Sequence, residues 1–426
     1  MKSFYLILLS FLLAALQVNG QEKWNCYTDD EALLIDDNIT LGVFDYKDGS
    51  TWFVTQRGVN IFKDGSWTTI NKKTELLKNK IGSYLVDSKD QIWIGTGSPD
   101  IFFDGYVLGQ LYQGGVMIYD GEEWKPMNTK EMGIKAPVIT QMHEATNGDI
   151  WLGVSSVNPG SERGGLFAKG ALLRLDKETG AWTVYRQKDM PCLDCHFVKD
   201  FYEDENGNLF FIARWGIYYF EDGKFHSVGK DNEEFSFGNG DFITAKFVDS
   251  NNNLWLGTTA RITSYKGSTW RSFNRKNGLT SQNGYPYGFV ETADNKIIMT
   301  AVNGLYTYNN EDQWEQEKIK YLYGNSYLDD QNRLWLAYHK GLIIRDGENE
   351  TMHKDLPKVH KIFEDHDGGV WAISSNKGVK RYKDGEWKLF NDDNQLPSNR
   401  ITLTYVSDNG TVWLGTNKGI CSCEYN

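Results

Sequence analysis

The short motifs that mark the common enzyme classes are missing from this sequence. It contains no G-x-S-x-G, H-E-x-x-H or G-x-G-x-x-G motif and no phosphate-binding loop, and its 7 histidines are scattered. Such motifs supply nucleophiles, metal ligands and phosphate cradles in hydrolases, metalloproteases and nucleotide-binding enzymes. We therefore predict a protein without catalytic residues, metal ligands or cofactors. A carbohydrate-active lyase or hydrolase stays open as an alternative, because dispersed carboxylates could converge in the fold.

Proline and positive charge are also in short supply. The chain has 8 prolines against 43 glycines, and aromatic residues make up 14% of it. This composition favours many short strands joined by tight turns. The formal net charge of -12 argues against nucleic acid as a partner, because phosphate backbones are bound by basic surfaces.

Long hydrophobic runs are absent after the first twenty residues. Residues 1–20 contain a positive charge near the start at Lys2, then the apolar stretch FYLILLSFLLAAL, and end at Gly20. This is the pattern of a secretory signal peptide. No cysteine follows directly, and no later stretch reaches the roughly 20 apolar residues of a transmembrane helix. We expect a periplasmic or secreted protein whose mature domain occupies residues 21–426.

A short phrase with an acidic turn, an apolar-aromatic pair and a glycine-led turn recurs nine times. Examples are VDSNNNLWLGT, LDDQNRLWLAYHKGL and VSDNGTVWLGTNKGI. The central residues of the phrase lie 36 to 59 residues apart, at Trp52, Trp93, Trp151, Phe210, Trp255, Ile298, Trp335, Trp371 and Trp413. Repeats of this length that are built from short strands are typical of propellers and solenoids.

Each repeat carries signals for four antiparallel strands. One apolar run precedes the acidic turn, a second follows it, and Asp-Gly joins the last two strands in VNIFKDGSW, IYYFEDGKF and VKRYKDGEW. Asp-Gly between alternating residues is a strong hairpin signal, and four such strands make one propeller blade. We therefore predict an all-β fold, a single closed β-propeller of nine four-stranded blades, or of eight if the weak Ile298 repeat is merged.

The two ends of the chain are expected to meet in one blade. The N-terminal segment KWNCYTDD resembles the fourth strand EWKLFNDD, whereas the last repeat ends without a fourth strand. An N-terminal strand added to the C-terminal blade closes the ring and removes exposed sheet edges. Aligning this hairpin on GVNIFKDGSWTTI places Cys26 opposite Cys421 in the closer type of antiparallel pair. We predict a disulfide between them, with Cys423 as the rival partner of Cys26.

The remaining cysteines form a short motif of their own. Cys192 and Cys195 make a C-x-x-C in a loop, where a redox or metal role would need a thioredoxin-like unit or further ligands. A local disulfide between these two residues is the simpler prediction. Because the chain has 5 cysteines, one thiol is left over.

The repeat pattern resembles that of a known family, the two-component regulator propeller. The pattern is D-x-x-G-x-L-W-L-G-T-x-x-G followed by an aromatic residue and Asp-Gly, and residues 255–258 and 413–416 both read WLGT. The resemblance covers essentially all of the mature chain. It implies a sensor propeller like the periplasmic part of hybrid two-component systems of Bacteroidetes, many of which respond to glycan fragments. We expect such a propeller without the kinase portion.

Two neighbouring repeats carry long insertions between their second and third strands, at residues 97–113 and 155–169. In a propeller these turns share a face with the connections between blades, and long loops on a rigid scaffold often carry function. The aromatic side chains of the first insertion could stack on a sugar, or they could pack onto the propeller itself. These candidate ligand-binding residues are Phe102, Phe103, Tyr106 and Tyr112.

Cations recur at the same turn in other repeats. Most stand just before the glycine that begins the third strand, and one replaces that glycine. The candidates are Arg57, Lys169, Arg214 with its neighbour Trp215, Arg261, Lys340, Lys377 and Lys418. At equivalent positions they would surround one mouth of the channel and favour an anionic ligand. The alternative is that lysine simply suits a solvated turn before glycine.

These observations favour an exported, non-catalytic, sensor-like propeller that binds a glycan-type or anionic small ligand. The insertions at residues 97–113 and 155–169 would lie on its binding face. A scaffold for protein–protein interaction on the same face is the first alternative, since a long aromatic loop can also cap a partner protein. A lyase or hydrolase acting on carbohydrate is the second, and it rests on the fold alone.

Overall fold

The structure is a computed structural model of the whole chain. It describes residues 23–27, 40–71, 81–97, 101–103, 106–108, 114–127, 131–134, 138–156, 169–186, 189–190, 198–213, 216–221, 223–228, 243–258, 261–267, 269–279, 286–309 and 311–425. Within these residues almost all regular structure is β-strand. The predicted signal peptide and the Cys192–Cys195 motif lie outside the described residues, and both stay predictions.

The first four blades account for sixteen strands of the fold and a small inserted hairpin. Blade 1 contains β2 (Thr40–Asp45), β3 (Thr51–Thr55), β4 (Gly58–Lys63) and β5 (Ser66–Asn71). Blade 2 contains β6 (Ile81–Val86), β7 (Ile92–Thr96), β10 (Val116–Tyr119) and β11 (Trp124–Pro126), with β8 (Ile101–Phe103) and β9 (Tyr106–Leu108) inserted between β7 and β10. Blade 3 contains β12 (Val138–Glu144), β13 (Ile150–Ser156), β14 (Lys169–Leu175) and β15 (Trp182–Arg186). Blade 4 contains β16 (Val198–Glu203), β17 (Leu209–Ala213), β18 (Gly216–Glu221) and β19 (Lys224–Ser227).

The next four blades repeat the arrangement. Blade 5 contains β20 (Ile243–Val248), β21 (Leu254–Thr258), β22 (Ile262–Lys266) and β23 (Thr269–Phe273), followed by a 3-10 helix at Arg275–Asn277. Blade 6 contains β24 (Pro286–Glu291), β25 (Ile297–Ala301), β26 (Gly304–Tyr308) and β27 (Trp314–Glu317). Blade 7 contains β28 (Leu322–Leu328), β29 (Leu334–Tyr338), β30 (Gly341–Asp346) and β31 (Asn349–His353). Blade 8 contains β32 (Val359–Glu364), β33 (Val370–Ser374), β34 (Gly378–Lys383) and β35 (Glu386–Phe390).

Blade 9 joins the two ends of the chain. It consists of β36 (Ile401–Val406), β37 (Thr411–Thr416), β38 (Gly419–Glu424) and the N-terminal strand β1 (Asn25–Tyr27), in the order β1-β38-β37-β36. Cys26 lies opposite Cys421 in this sheet, with their Cα atoms 4.0 Å apart, and the two residues form a disulfide. Cys423 is buried. The predicted nine-bladed propeller, its closure by the N-terminal strand and the Cys26–Cys421 pairing are all confirmed.

The first strand of each blade is the innermost one. First strands of successive blades pack against one another, for example β6 with β12, β20 with β24 and β28 with β32. All nine first strands contain a β-bulge or similar irregularity near their beginning. Bulges change the direction of side chains and bend a strand. The residues that line the channel mouth at that end therefore do not follow the regular alternation of side chains between the two faces of a strand.

A buried carboxylate organises the turn between the first and second strands. Asp249 Oδ1 accepts hydrogen bonds from the backbone N–H groups of Asn251 and Asn253, at 3.0 and 2.8 Å, while its Oδ2 accepts from Trp255 Nε1 at 2.9 Å. The same aspartate–tryptophan bond, six residues apart, occurs in blades 2, 7 and 8, at 2.7–2.8 Å. The acidic turns of the repeat are therefore structural, since their oxygens are engaged in backbone and indole hydrogen bonds.

Each anchored tryptophan packs into the following blade. Trp335 of blade 7 contacts Tyr382 and Trp387 on the last two strands of blade 8, with ring centroids 5.4 and 5.9 Å apart. Blades 5 and 9 make the same contact with their successors, through Trp255 and Trp413. The second-strand tryptophans therefore contribute to the packing between successive blades.

A second carboxylate links five pairs of neighbouring blades. It ends the first strand of one blade and accepts hydrogen bonds from the first turn or first strand of the blade before. Ser250 N, for example, donates to Glu291 Oε2 at 2.6 Å, and Thr146 N donates to Glu203 Oε2 at 2.8 Å. The equivalent carboxylates elsewhere in the ring are Asp45, Glu144 and Glu364.

The anchoring aspartate can be tested against its exposed neighbour. Asp329 accepts bonds from Gln331 N, Arg333 N, Arg333 Nε and Trp335 Nε1, at 2.6–3.1 Å, whereas Asp330 is exposed. We expect Asp329→Ala to lower the free energy of unfolding by about 3 kcal/mol or more, because it leaves buried donors without an acceptor. Asp330→Ala removes the same charge and should change it by less than about 0.5 kcal/mol. Equal losses in urea unfolding would contradict this role.

The disulfide should stabilise the closed ring. Replacing Cys26 and Cys421 together by serine is expected to lower the free energy of unfolding by up to about 5 kcal/mol, because the bond restricts a very long loop in the unfolded chain. Cys423→Ser is the matched control and should lose only a packing contribution. Denaturant unfolding and a non-reducing peptide map provide the measurement. A Cys26–Cys423 peptide in that map would overturn the assignment.

Glu364 predicts a pH-dependent contribution to stability. Burial raises the pKa of Glu364 above its ordinary value, despite the hydrogen bond donated by Tyr327 at 3.0 Å. A carboxyl whose pKa is higher in the folded than in the unfolded state favours folding when protonated and opposes it as pH rises through the folded pKa. Glu364→Gln should therefore raise the melting temperature at pH 8 and have little effect near pH 4. The carboxylate of Glu291 accepts hydrogen bonds from Ser250. Glu291→Gln should therefore lower the melting temperature at pH 8.

Candidate functional site

One face of the ring carries all the turns between second and third strands, together with the connections between blades. We call it the upper face. Several of its turns are built alike, because a threonine at the end of the second strand bonds both ends of the turn. Thr416 Oγ1 donates to Gly419 O at 3.0 Å and accepts from Lys418 N at 3.0 Å, and Thr55 does the same around Arg57. A threonine therefore fixes the backbone that presents Arg57 and Lys418.

The glycine after Lys340 is required by the neighbouring strand. Gly341 has a φ of 153°, and a Cβ atom at this position would overlap the carbonyl oxygen of His353 on the outer strand of the blade. Only glycine allows so close an approach. In the Lys340-Gly341 pair, the fold thus requires the glycine but does not require the lysine.

Four of the predicted cations form a continuous arc on the upper face. Arg57, Lys340, Lys377 and Lys418 are exposed, and they stand at equivalent turns of blades 1, 7, 8 and 9. These blades are consecutive, because blade 9 adjoins blade 1. Arg261 in blade 5 differs, since it is half-buried and its backbone N–H donates to Thr258 Oγ1 at 3.0 Å. Within the described residues four exposed cations form this arc, and the ring as a whole stays a prediction.

The remaining predicted residues belong to parts of the chain that the structure describes incompletely. Phe102 and Phe103 lie in β8 and Tyr106 lies in β9, which pair as an antiparallel hairpin with Phe103 opposite Tyr106. Lys169 begins β14. The backbones of these four residues are described, and their roles in binding stay predictions. Tyr112, Arg214 and Trp215 lie outside the described residues.

An aromatic cluster that the sequence did not reveal lies beside Lys340. Tyr321 and Tyr323 of blade 7 are 59% and 41% exposed, and both rings approach His339, with centroids 6.4 and 5.9 Å away. Tyr287 of blade 6 stands next to this group, and burial raises its pKa, with a smaller effect from Tyr323. Large aromatic faces are thus open to solvent at the inner edge of the upper face.

Backbone hydrogen bonds hold this part of the rim together. His339 N donates to Tyr321 O at 2.9 Å, Lys358 N donates to His339 O at 2.9 Å, and Ser375 N donates to Lys358 O at 3.1 Å. The bonds pass alternately between blade connections and second-to-third-strand turns. Blades 7 and 8 therefore share one rigid edge at the channel mouth.

Lys361 marks the inner wall of the channel near this edge. It lies on β32, the innermost strand of blade 8, and its side chain is exposed. Burial nevertheless lowers the pKa of Lys361. A channel reconciles the two observations, because an ammonium group there reaches water while protein atoms surround it and weaken its hydration. Burial also lowers the pKa of the neighbouring His360, which favours its neutral form.

The opposite face offers a pocket of a different character. A cavity of about 510 Å³ lies between blades 3 and 4, and its lining includes Trp151, Arg174, Glu203 and Phe220. Arg174 is committed to Asp149 through an ion pair of 2.6 Å. Within the described residues no cluster of three or more histidine, cysteine or acidic side chains could hold a metal ion. No helix there is long and apolar enough to cross a membrane.

These features define the chain as a nine-bladed β-propeller with an exposed cationic and aromatic upper face. Residues 395–418 match the family model of the two-component regulator propeller. The matched segment runs through β36 and β37 to Lys418, so it covers the threonine-bonded turn described above. This segment is similar to the repeat of that family, as its sequence predicted.

Comparison with solved structures finds similar chains at low sequence identity. No curated protein matches the chain. The extracellular domain of the hybrid two-component system BT3049 from B. thetaiotaomicron is 17% identical, with a TM-score of 0.43 over 95% of this chain and 53% of its own length. PorZ of Porphyromonas gingivalis, a surface component of the type-IX secretion system, is 13% identical, with a TM-score of 0.41 over 91% of this chain and 69% of its own. The chain thus spans about half the length of the BT3049 domain.

Proposed function

We propose that this chain is an exported, non-catalytic, sensor-like propeller that binds a glycan-type or anionic small ligand on its upper face. The arc formed by Arg57, Lys340, Lys377 and Lys418 is the observation that carries the proposal. Four exposed cations on consecutive blades of a protein with a net charge of -12 create a local field opposite in sign to the protein as a whole. Such a field attracts an anionic ligand to the arc, although the protein as a whole is acidic.

Two further features support binding outside the cytoplasm. The Cys26–Cys421 disulfide indicates an oxidising compartment, and residues 1–20 read as an export signal in the sequence. The periplasm or the cell exterior is where a receptor for extracellular glycans would act. The repeat family carries the same implication, because its sensor propellers are exported.

A glycan array with the mature protein, residues 21–426, at two salt concentrations tests the proposal. We expect binding to acidic glycans that weakens at high salt, because salt screens exposed charges. Replacing Arg57, Lys340, Lys377 and Lys418 by alanine should reduce this binding at least tenfold. The matched control replaces the exposed lysines of the opposite face, Lys89, Lys177, Lys224 and Lys266, which changes the net charge by the same amount.

Each other outcome has a defined meaning. Equal losses in both quadruple variants would show a general charge effect and contradict a site on the arc. Binding to neutral glycans that survives the arc variant would place the site at the 97–113 insertion. If no glycan binds, the glycan proposal fails, and a pulldown with the same protein tests the scaffold alternative.

A further inference from the structure

The strongest feature of the upper face that the arc does not explain is a concentration of lysines around blades 7 and 8. Seven lysines stand on two blade connections, two turns and the channel wall, and all are exposed. They are Lys318, Lys320, Lys340, Lys354, Lys358, Lys361 and Lys377. The nearby Asp355 is already paired with Lys380. Among the described residues, none of the seven has a carboxylate within ion-pair distance.

Several lysines elsewhere in the described structure have a carboxylate partner. Lys125 pairs with Asp120 at 2.7 Å, Lys63 with Asp48 at 2.8 Å and Lys296 with Asp294 at 2.7 Å, all on the surface of an acidic protein. In a chain with 57 acidic residues against 45 lysines and arginines, neighbouring carboxylates are easily found. The seven lysines of blades 7 and 8 have no such partner among the described residues, and they are gathered in one sector of the upper face.

The same sector exposes Tyr321 in a strained backbone conformation. Tyr321 has a φ of 72°, in the left-handed region that bulky side chains rarely occupy. Its carbonyl oxygen is held by His339 N, and its ring is 59% exposed. Strain that persists in an exposed aromatic residue is found at functional sites, where the surroundings hold a side chain in a useful position. Tyr323, two residues on, exposes a second ring beside it.

The chemistry of this sector indicates the kind of ligand. Lysine ammonium groups are point charges on flexible stems, whereas a single carboxylate or phosphate is better recognised by the planar fork of arginine. Seven separated lysines therefore suit a ligand with several separated negative charges. The tyrosine faces offer apolar, flat surfaces with polar edges, which match the faces of sugar rings.

We propose that this Tyr–Lys sector, formed by Tyr321, Tyr323 and the seven lysines, binds a linear anionic oligosaccharide carrying carboxylate or sulfate groups. Its sugar rings lie on the two tyrosines, its acid groups meet the lysines of the rim, and Lys361 receives an acid group at the channel mouth. This site rests on the proposed function and assigns its ligand to blades 7 and 8 rather than to the whole arc.

Isothermal titration of the mature protein with a hexameric oligogalacturonate and with a sulfated dextran oligosaccharide tests the proposal. Lys320→Ala, Lys358→Ala and Lys361→Ala combined should raise the dissociation constant at least tenfold for one or both probes. Arg57→Ala with Lys418→Ala, on the other half of the arc, should raise it less than threefold. The probe that binds more tightly distinguishes carboxylate from sulfate as the preferred group.

The tyrosines are tested without relying on a destabilised variant. Tyr321→Gly suits the left-handed backbone, so it should fold as well as the parent and still lose at least fivefold in affinity. Tyr323→Ala should lose a similar factor, while Tyr323→Phe keeps the ring face and should retain binding. Melting temperatures confirm that each variant is folded. Unchanged affinity in both Tyr321→Gly and Tyr323→Ala would overturn the stacking role.

Two results would overturn the site as a whole and leave distinct conclusions. If only the Arg57/Lys418 variant loses binding, the Tyr–Lys sector is not the site, although the upper face still binds an anionic glycan. If twelve-residue single-stranded oligothymidylate binds as tightly as either oligosaccharide and responds to the same variants, the ligand is not a glycan. If the parent protein binds no acidic oligosaccharide at all, the proposed function itself is rejected.

Discussion

A hydrogen bond from a tryptophan indole to a buried aspartate six residues earlier is the constraint on which blades 2, 5, 7 and 8 of this propeller depend. The carboxylate of Asp249 or Asp329 satisfies the N–H groups of its own turn and at the same time fixes one indole. The indole so fixed enters the last hairpin of the next blade, as Trp335 does against Tyr382. One local bond therefore sets both the turn within a blade and the packing between blades, which explains why aspartate and tryptophan recur together.

This arrangement separates the two faces of the ring chemically. On the face opposite the upper face, the carboxylates of the turns between first and second strands accept hydrogen bonds from within their own blade. Residues at the end of a first strand, such as Glu291 and Glu203, link one blade to the next. On the upper face, threonine hydroxyls instead fix the turns around Arg57, Arg261 and Lys418, and Gly341 and Gly378 approach a neighbouring strand closely. The cation that precedes the glycine is consequently not determined by the fold. Lysines can collect there without loss of stability.

The sequence predicted those features that depend on local, repeated chemistry. Asp-Gly hairpins and the acidic turn gave nine blades, and alignment of one hairpin on another placed Cys26 opposite Cys421. It failed to reveal Tyr321, His360 and Lys361, because these residues lie in blade connections and bulges, where the repeat has no fixed pattern. Their proximity arises only when first strands from different blades meet at the channel. Equivalent positions of the repeat can also differ in burial, as half-buried Arg261 differs from exposed Lys418.

The rigidity of the ring limits how a ligand on the upper face could be detected. The rim at Tyr321, His339, Lys358 and Ser375 is joined by backbone hydrogen bonds, and the ring is covalently closed at blade 9. A ligand shifts an equilibrium only by its difference in affinity for two states, and a closed ring with bonded edges offers little alternative geometry. A ligand seated at this mouth would instead change what the surface presents, by neutralising lysines and covering tyrosines. A partner protein that binds the occupied mouth would therefore contact the ligand and the propeller at the same time, and the propeller would not need to change shape.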